Sequence, residues 1–129
     1  MKPGIIVRKQ AAEAAAIHEE WGSLQWTATE ELTATPGLTL GRVRLKPGAS
    51  NPRHSHPNCD ELLYVLSGRL QHETGGAITI LEAGDTLAIP AGVPHQAVNI
   101  GTEDADTMVV YSSGRREFRL EPPLETKSA

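Results

Sequence analysis

The chain reads as a series of short stretches in which apolar and polar positions alternate, separated by turn formers. Leu38 to Lys46 alternates and ends at Pro47-Gly48. Strands are then predicted at His54–His56, Glu61–Leu66, Arg69–Thr74, Ala77–Leu81, Thr86–Ile89, His95–Asn99, Thr107–Tyr111 and Glu117–Leu120. Gly75-Gly76 marks a hairpin, and Gly101 to Ala105 a polar turn. Strands recurring about every 8–12 residues form a sandwich or a small barrel. On the second of these strands Glu61, Leu63 and Val65 share one face, which sends Leu62, Tyr64 and Leu66 outward. Near the start, Ile5-Ile6-Val7 favours a strand. Ala11 to Trp21, with five alanines and three glutamates, predicts the one helix, stopped at Gly22 and carrying an exposed His18. Trp26 to Leu32 is a strand or a loop over the barrel end. The division expected is an N-terminal arm and helix at 1–36, an all-β barrel at 37–120 and a tail at 121–129.

Composition narrows the class. A chain of 129 residues makes one domain, long enough to bury about two-thirds of its unfolded surface. The net charge is −4 with no basic run, so nothing points to nucleic acid. No apolar run approaches membrane-spanning length and Met1-Lys2-Pro3-Gly4 leads into no signal-peptide core, so no membrane partner is expected. The single cysteine, Cys59, excludes an internal disulfide and fits the cytoplasm. With only five aromatics, stacking on a large flat ligand is not expected.

Two stretches carry the chemistry. The first is Gly48-x5-His54-x-His56-x4-Glu61-x6-Gly68, reading GASNPRHSHPNCDELLYVLSG. The second is Gly84-x5-Pro90-x-Gly92-x2-His95-x3-Asn99, reading GDTLAIPAGVPHQAVN. His54 and His56, at i and i+2, leave the same face of a strand. Glu61 lies at an odd spacing from His56, so an unbroken strand would turn it away. Pro57-Asn58 supplies the break, and Glu61 then re-enters pointing at the imidazoles. Pro90 to Pro94 makes a tight turn that delivers His95. Three imidazoles and a carboxylate suit a divalent transition metal (Fe, Mn, Ni, Cu, Co or Zn) better than Ca or Mg. Four ligands around an octahedral ion leave two positions for water or substrate.

Both stretches resemble the two motifs of the cupin superfamily at every fixed position, over about Gly37 to Ser112. The short separation of 15 residues, Arg69 to Ala83, resembles small bacterial single-domain cupins. The resemblance implies a double-stranded β-helix of jelly-roll type, with metal ligands at His54, His56, Glu61 and His95. It also implies a homodimer, paired through the outward Leu62, Tyr64 and Leu66 row. The function expected is a metal-dependent enzyme, an oxygenase or an isomerase or lyase, acting on a small oxygen-donor metabolite. The alternative is a non-catalytic, metal-dependent binding or sensing module. Small cupin lyases that cleave dimethylsulfoniopropionate carry a tyrosine two residues after the ligand glutamate. That position here is Leu63, which removes the expected general base.

Four further residues bear on the pocket. Cys59 reads as a small buried hydrophobe and His72 as a solvent-facing or satisfied histidine. Arg42 and Arg44 read as surface charges, and would anchor a carboxylate or phosphate only if their strand face turned inward. Gln96 and Asn99 are polar candidates, the latter more suited to closing a turn.

Overall fold

The computed structural model describes residues 3–125, so Met1, Lys2 and the last part of the tail, 126–129, lie outside the described residues. Eleven strands form two antiparallel sheets. They are β1 (Ile17–Glu19), β2 (Gly22–Ala28), β3 (Thr39–Leu45), β4 (His54–Ser55), β5 (Glu61–Ser67), β6 (Arg69–Thr74), β7 (Ala77–Glu82), β8 (Thr86–Ile89), β9 (His95–Asn99), β10 (Ala105–Tyr111) and β11 (Arg119–Leu120). One sheet runs β1-β2-β3-β10-β5-β8 and the other β11-β4-β9-β6-β7. No helix among the described residues is long and apolar enough to cross a membrane.

Alternation in the sequence becomes burial in the fold. Leu45, Val65, Leu70 and Val109 are almost fully buried between the sheets, each contributing about 2 kcal/mol by leaving water. Leu63 and Val65 face inward, while Leu62, Tyr64 and Leu66 on the same strand are exposed, as the parity of β5 requires. Gly75 and Gly76 both have positive φ, the conformation a two-residue hairpin between β6 and β7 demands. Asn99 closes a turn, its amide donating to the carbonyls of Leu45 (2.9 Å) and Glu103 (2.8 Å).

The N-terminal third departs from expectation. Ile5 and Ile6 are exposed and lie in coil rather than in a strand. The helix expected over Ala11–Trp21 is the six-residue α1 (Lys9–Ala14), with no side-chain cap at its N-terminus. Its second half is instead a hairpin, with Ile17 opposite Leu24 and Glu19 opposite Gly22. A helix this short gains little on its own. Pairing β2 with β3 carries Leu24 and Trp26, with the adjoining Trp21, against the core. His18 is exposed on β1 rather than on a helix. Trp26 belongs to β2, after which Thr29 caps the short helix α2 (Glu30–Thr33) by accepting from the Leu32 amide at 3.1 Å.

Arg42 and Arg44 alternate with the buried Val43 and Leu45, and both reach the Asp106 carboxylate on the outer face. Arg42 does so through Nε at 2.9 Å and a second nitrogen at 2.5 Å. They are surface charges, as expected.

Candidate metal centre

Strand pairing across the second sheet gathers the site. His54 on β4 lies directly opposite His95 on β9. His56 directly follows β4, and the chain then turns at Pro57-Asn58, so Glu61, at the start of β5, approaches from the facing sheet. The Pro90–Pro94 turn is tied to the same corner, because the Gly92 amide donates to the His56 carbonyl at 2.9 Å. The four side chains are all buried, and one ligand atom from each lies within 4.8 Å of the others.

Backbone carbonyls set the proton positions on the rings. His54 Nδ1 meets the Pro52 carbonyl at 2.7 Å, His56 Nδ1 that of Glu117 at 2.8 Å, and His95 Nδ1 that of Val93 at 2.9 Å. A carbonyl only accepts, so each Nδ1 carries a proton and Nε2 is the nitrogen left to face the centre. Nε2 of His56 and Nε2 of His95 both stand 3.3 Å from Glu61 Oε1. These three atoms are buried without a hydrogen-bond partner among the described residues. Buried polar atoms are normally satisfied. A carboxylate oxygen and imidazole lone pairs converging without a donor are satisfied by a cation at their centre, and the donor set suits a divalent transition metal.

The electrostatics agree. Burial works to raise the Glu61 pKa, but the neighbouring His56 and His95 outweigh it and hold it at about 2. Burial pushes His54 down to about 4, helped by His95, so its ring is neutral and ready to ligate. Burial disfavours protonated His95, yet the adjacent Glu61 carboxylate more than compensates and raises its pKa. A cation bound here would take the place of that proton on His95 and face the same carboxylate.

The cluster opens into a cavity of about 270 Å³ between the sheets. Its walls include the aliphatic Val43, Leu45 and Leu63, and Trp21, Trp26, Tyr111 and Phe118 line it as well. Four of the five aromatics therefore line one cavity. Phe118 stacks on the His54 ring at 4.9 Å, and Trp26 meets Tyr111 edge-on at 6.0 Å.

Tyr111 answers the missing tyrosine on β5. It sits directly opposite Glu61 in the β10–β5 register, so both side chains leave the same face. Burial lifts its pKa well above 10, so it is a neutral hydroxyl at working pH. The parity of Thr107, Val109 and Tyr111 on β10 was the available signal for it.

His72 corrects the solvent-facing expectation. It is 1% exposed and lines the cavity. Its ring stacks against His95 at 5.8 Å, and its Nδ1 meets Thr74 Oγ1 at 2.7 Å. Burial drives its pKa down to about 4. Cys59 is a core hydrophobe whose thiol pKa is raised by burial, and it does not line the cavity. Gln96 is occupied elsewhere, donating to the Asn51 carbonyl at 2.7 Å. Arg116, in the segment after β10, lines the cavity and was not singled out in the sequence, where it looks like one charge among several.

Fold and cluster together define a β-barrel built around a buried transition-metal site. The chain belongs to the cupin family, whose cupin-domain model matches residues 41–111. It is 37% identical over 84 residues to germin-like protein 3-8 of Oryza sativa subsp. japonica, an alignment covering 61% of this chain and 37% of that protein. Among solved structures, an oxalate oxidase in complex with glycolate superposes with a TM-score of 0.70 at 27% identity, covering 77% of this chain and 54% of that one. A Bacillus subtilis oxalate decarboxylase shares the fold with a TM-score of 0.77 at 22% identity, covering 84% of this chain and 30% of that one. The match to the germin-like protein thus spans well under half of that relative's length.

Proposed function

We propose that the protein is a metal-dependent enzyme, oxygenase-type or isomerase/lyase-type, acting on a small oxygen-donor metabolite. His54, His56, Glu61 and His95 are the proposed ligands. The observation that carries this reading is the set of partnerless ligand atoms on His56, Glu61 and His95, buried at the head of a cavity rather than sealed in the core. A metal that only held the fold together would need no such opening. The oxalate oxidase structure with glycolate supports a small oxygen-bearing ligand and oxidoreductase chemistry over the isomerase or lyase alternative.

Bound at this cluster, a divalent metal supplies a Lewis acid for substrate oxygens, or a redox centre if the ion is redox-active. The remaining work falls to the chain. The three backbone carbonyls fix the ring orientations, and Glu61 lowers the net charge of the centre. Tyr111 and His72 are polar side chains of the cavity wall that pack against rings of the cluster. Tyr111 can donate a hydrogen bond to a substrate oxygen. His72, neutral and with Nδ1 occupied by Thr74, offers Nε2 toward the cavity. The aromatic walls exclude water from whatever binds there.

The test is to identify the metal in protein purified from its host, then follow O2 uptake and product formation with a panel of small hydroxy acids and dicarboxylates. Turnover that vanishes on chelation and returns with the metal is expected. Ligand binding indifferent to the metal, with no turnover across the panel, would overturn the reading.

The same reading includes a homodimer. Leu62, Tyr64 and Leu66 are 49%, 43% and 41% exposed on the outer face of β5. Val110 and Met108 lie beside Leu62 and Tyr64 in register, and Leu40 follows next to Val110, so the apolar patch crosses three strands. Light scattering should give twice 13.8 kDa. Tyr64→Asp should shift the protein toward monomer without lowering metal content, since its side chain leaves the opposite face from Glu61. A wild-type monomer at all concentrations would refute the dimer.

A further inference from the structure

Among the described residues, Arg116 has no acidic partner, in a protein that pairs several of its other arginines. Arg42 holds Asp106, Arg53 holds Glu73, and the adjacent Arg115 holds Glu30. Arg116 forms no ion pair among the described residues, although it lines the metal-side cavity. Its guanidinium carbon lies 4.1 Å from the Trp26 ring centroid, 5.4 Å from that of Tyr111 and 6.0 Å from that of Phe118. Packing against an aromatic face supports the charge through the ring's quadrupole and leaves the N–H groups at the edge of the guanidinium available.

The backbone around this residue is fixed to the metal corner. The Asn58 side chain donates to the Arg115 carbonyl at 2.9 Å and accepts from the Glu117 amide at 2.8 Å, clamping both flanks. The Glu117 carbonyl in turn receives the His56 Nδ1 proton at 2.8 Å. Tyr111 bridges the remaining gap, its ring 4.8 Å from that of His56 on one side and 5.4 Å from the guanidinium on the other.

We propose that Arg116 is the carboxylate anchor of this cavity. Its ligand is then a compact acid that presents oxygen donors to the metal at one end and a separate carboxylate to Arg116 at the other. The inference deepens the metal-pocket function proposed above and rests on it. Charge supports it. Glu61 cancels one of the two charges of a divalent ion, so the loaded cavity with Arg116 is net positive and favours an anion. The acid at the rim, Glu19, is exposed to solvent on β1 and is screened there. The volume of about 270 Å³ suits a ligand of a few carbons and excludes a nucleotide. The guanidinium fork selects a planar carboxylate over a neutral group of the same size.

Malate and 2-hydroxybutyrate separate the two ends. Both carry the same 2-hydroxy acid head, and only malate adds a second carboxylate. Cobalt-loaded full-length protein reports on the head through its visible spectrum, while calorimetry reports affinity. The wild type should show the spectral change with both acids and bind malate more tightly. Arg116→Gln should weaken malate at least about 30-fold and leave 2-hydroxybutyrate within about twofold. Arg116→Lys, which keeps the charge and loses the fork, should fall between. Cobalt content equal to wild type in both variants shows that the site itself is intact. If both acids perturb the cobalt spectrum but Arg116→Gln leaves their ratio unchanged, the anchor is refuted and the metal pocket stands. If neither acid perturbs the spectrum, the metal-pocket reading fails and takes the anchor with it.

Discussion

Alanine in place of His54, His56 or His95 should strip the protein of most of its metal. Each ring is pre-set by a backbone carbonyl so that Nε2 faces the centre. Losing an outer partner of a ligand typically costs about 10–100-fold in affinity, and losing the ligand itself should exceed that. Glu61→Gln should weaken binding less than loss of a histidine, because the amide keeps an oxygen and loses only the charge. His72→Ala is the discriminating control. His72 stacks on His95 but is bonded through Nδ1 to Thr74 and lies outside the four-residue cluster, so that variant should keep its metal. Elemental analysis after dialysis reads all five variants. Full occupancy in the three ligand variants would sink the assignment, and metal loss in His72→Ala would enlarge the ligand set.

Gly22→Ala should cost on the order of 3 kcal/mol of stability, among the larger effects a single methyl produces. A Cβ at Gly22 would lie 1.8 Å from the Arg44 carbonyl oxygen, and a backbone atom paired within a sheet cannot step aside. The strain has one direction of relief, which is separation of β2 from β3. That separation moves Trp21, Leu24 and Trp26, which form one wall of the cavity. Urea unfolding should therefore show a lower midpoint, and metal-loaded protein should bind small acids less tightly at temperatures where it is still folded. A midpoint equal to that of wild type would show that the close approach of these strands is not real. Gly48→Ala is a useful comparison, since a Cβ there meets nothing within 4 Å and only its positive φ of 75° opposes the change.

The elements that the sequence made legible share one property, that their signal is local. The run from Thr39 to Asn99 alternates cleanly, and its strands appear within a residue or two of expectation. The N-terminal segment was misread for the opposite reason. AAEAAAIHEEW has strong helix propensity, worth a few tenths of a kcal/mol per residue. Only six residues of helix form, because Ile17 to Ala28 gains more by adding a hairpin to the edge of β3.

The four residues of the cluster were legible in the sequence alone, since the i, i+2 spacing of His54 and His56, the Pro57-Asn58 break and the Pro90–Pro94 turn each fix a direction within a few residues. The all-β class and the outward face of β5 were determined in the same way, by a period of two. The composition of the cavity was decided by tertiary structure. Tyr111 faces Glu61 through the register of β10 on β5, which no local pattern sets. His72 is turned inward beside His95 by the pairing of β6 with β9. Arg116 reaches the cavity because Asn58 holds the segment after β10 against the metal corner, more than fifty residues away along the chain. A ligand atom's direction follows from the backbone on either side of it. A pocket wall is a meeting of distant segments, and the free energy that selects it is the burial of the whole core.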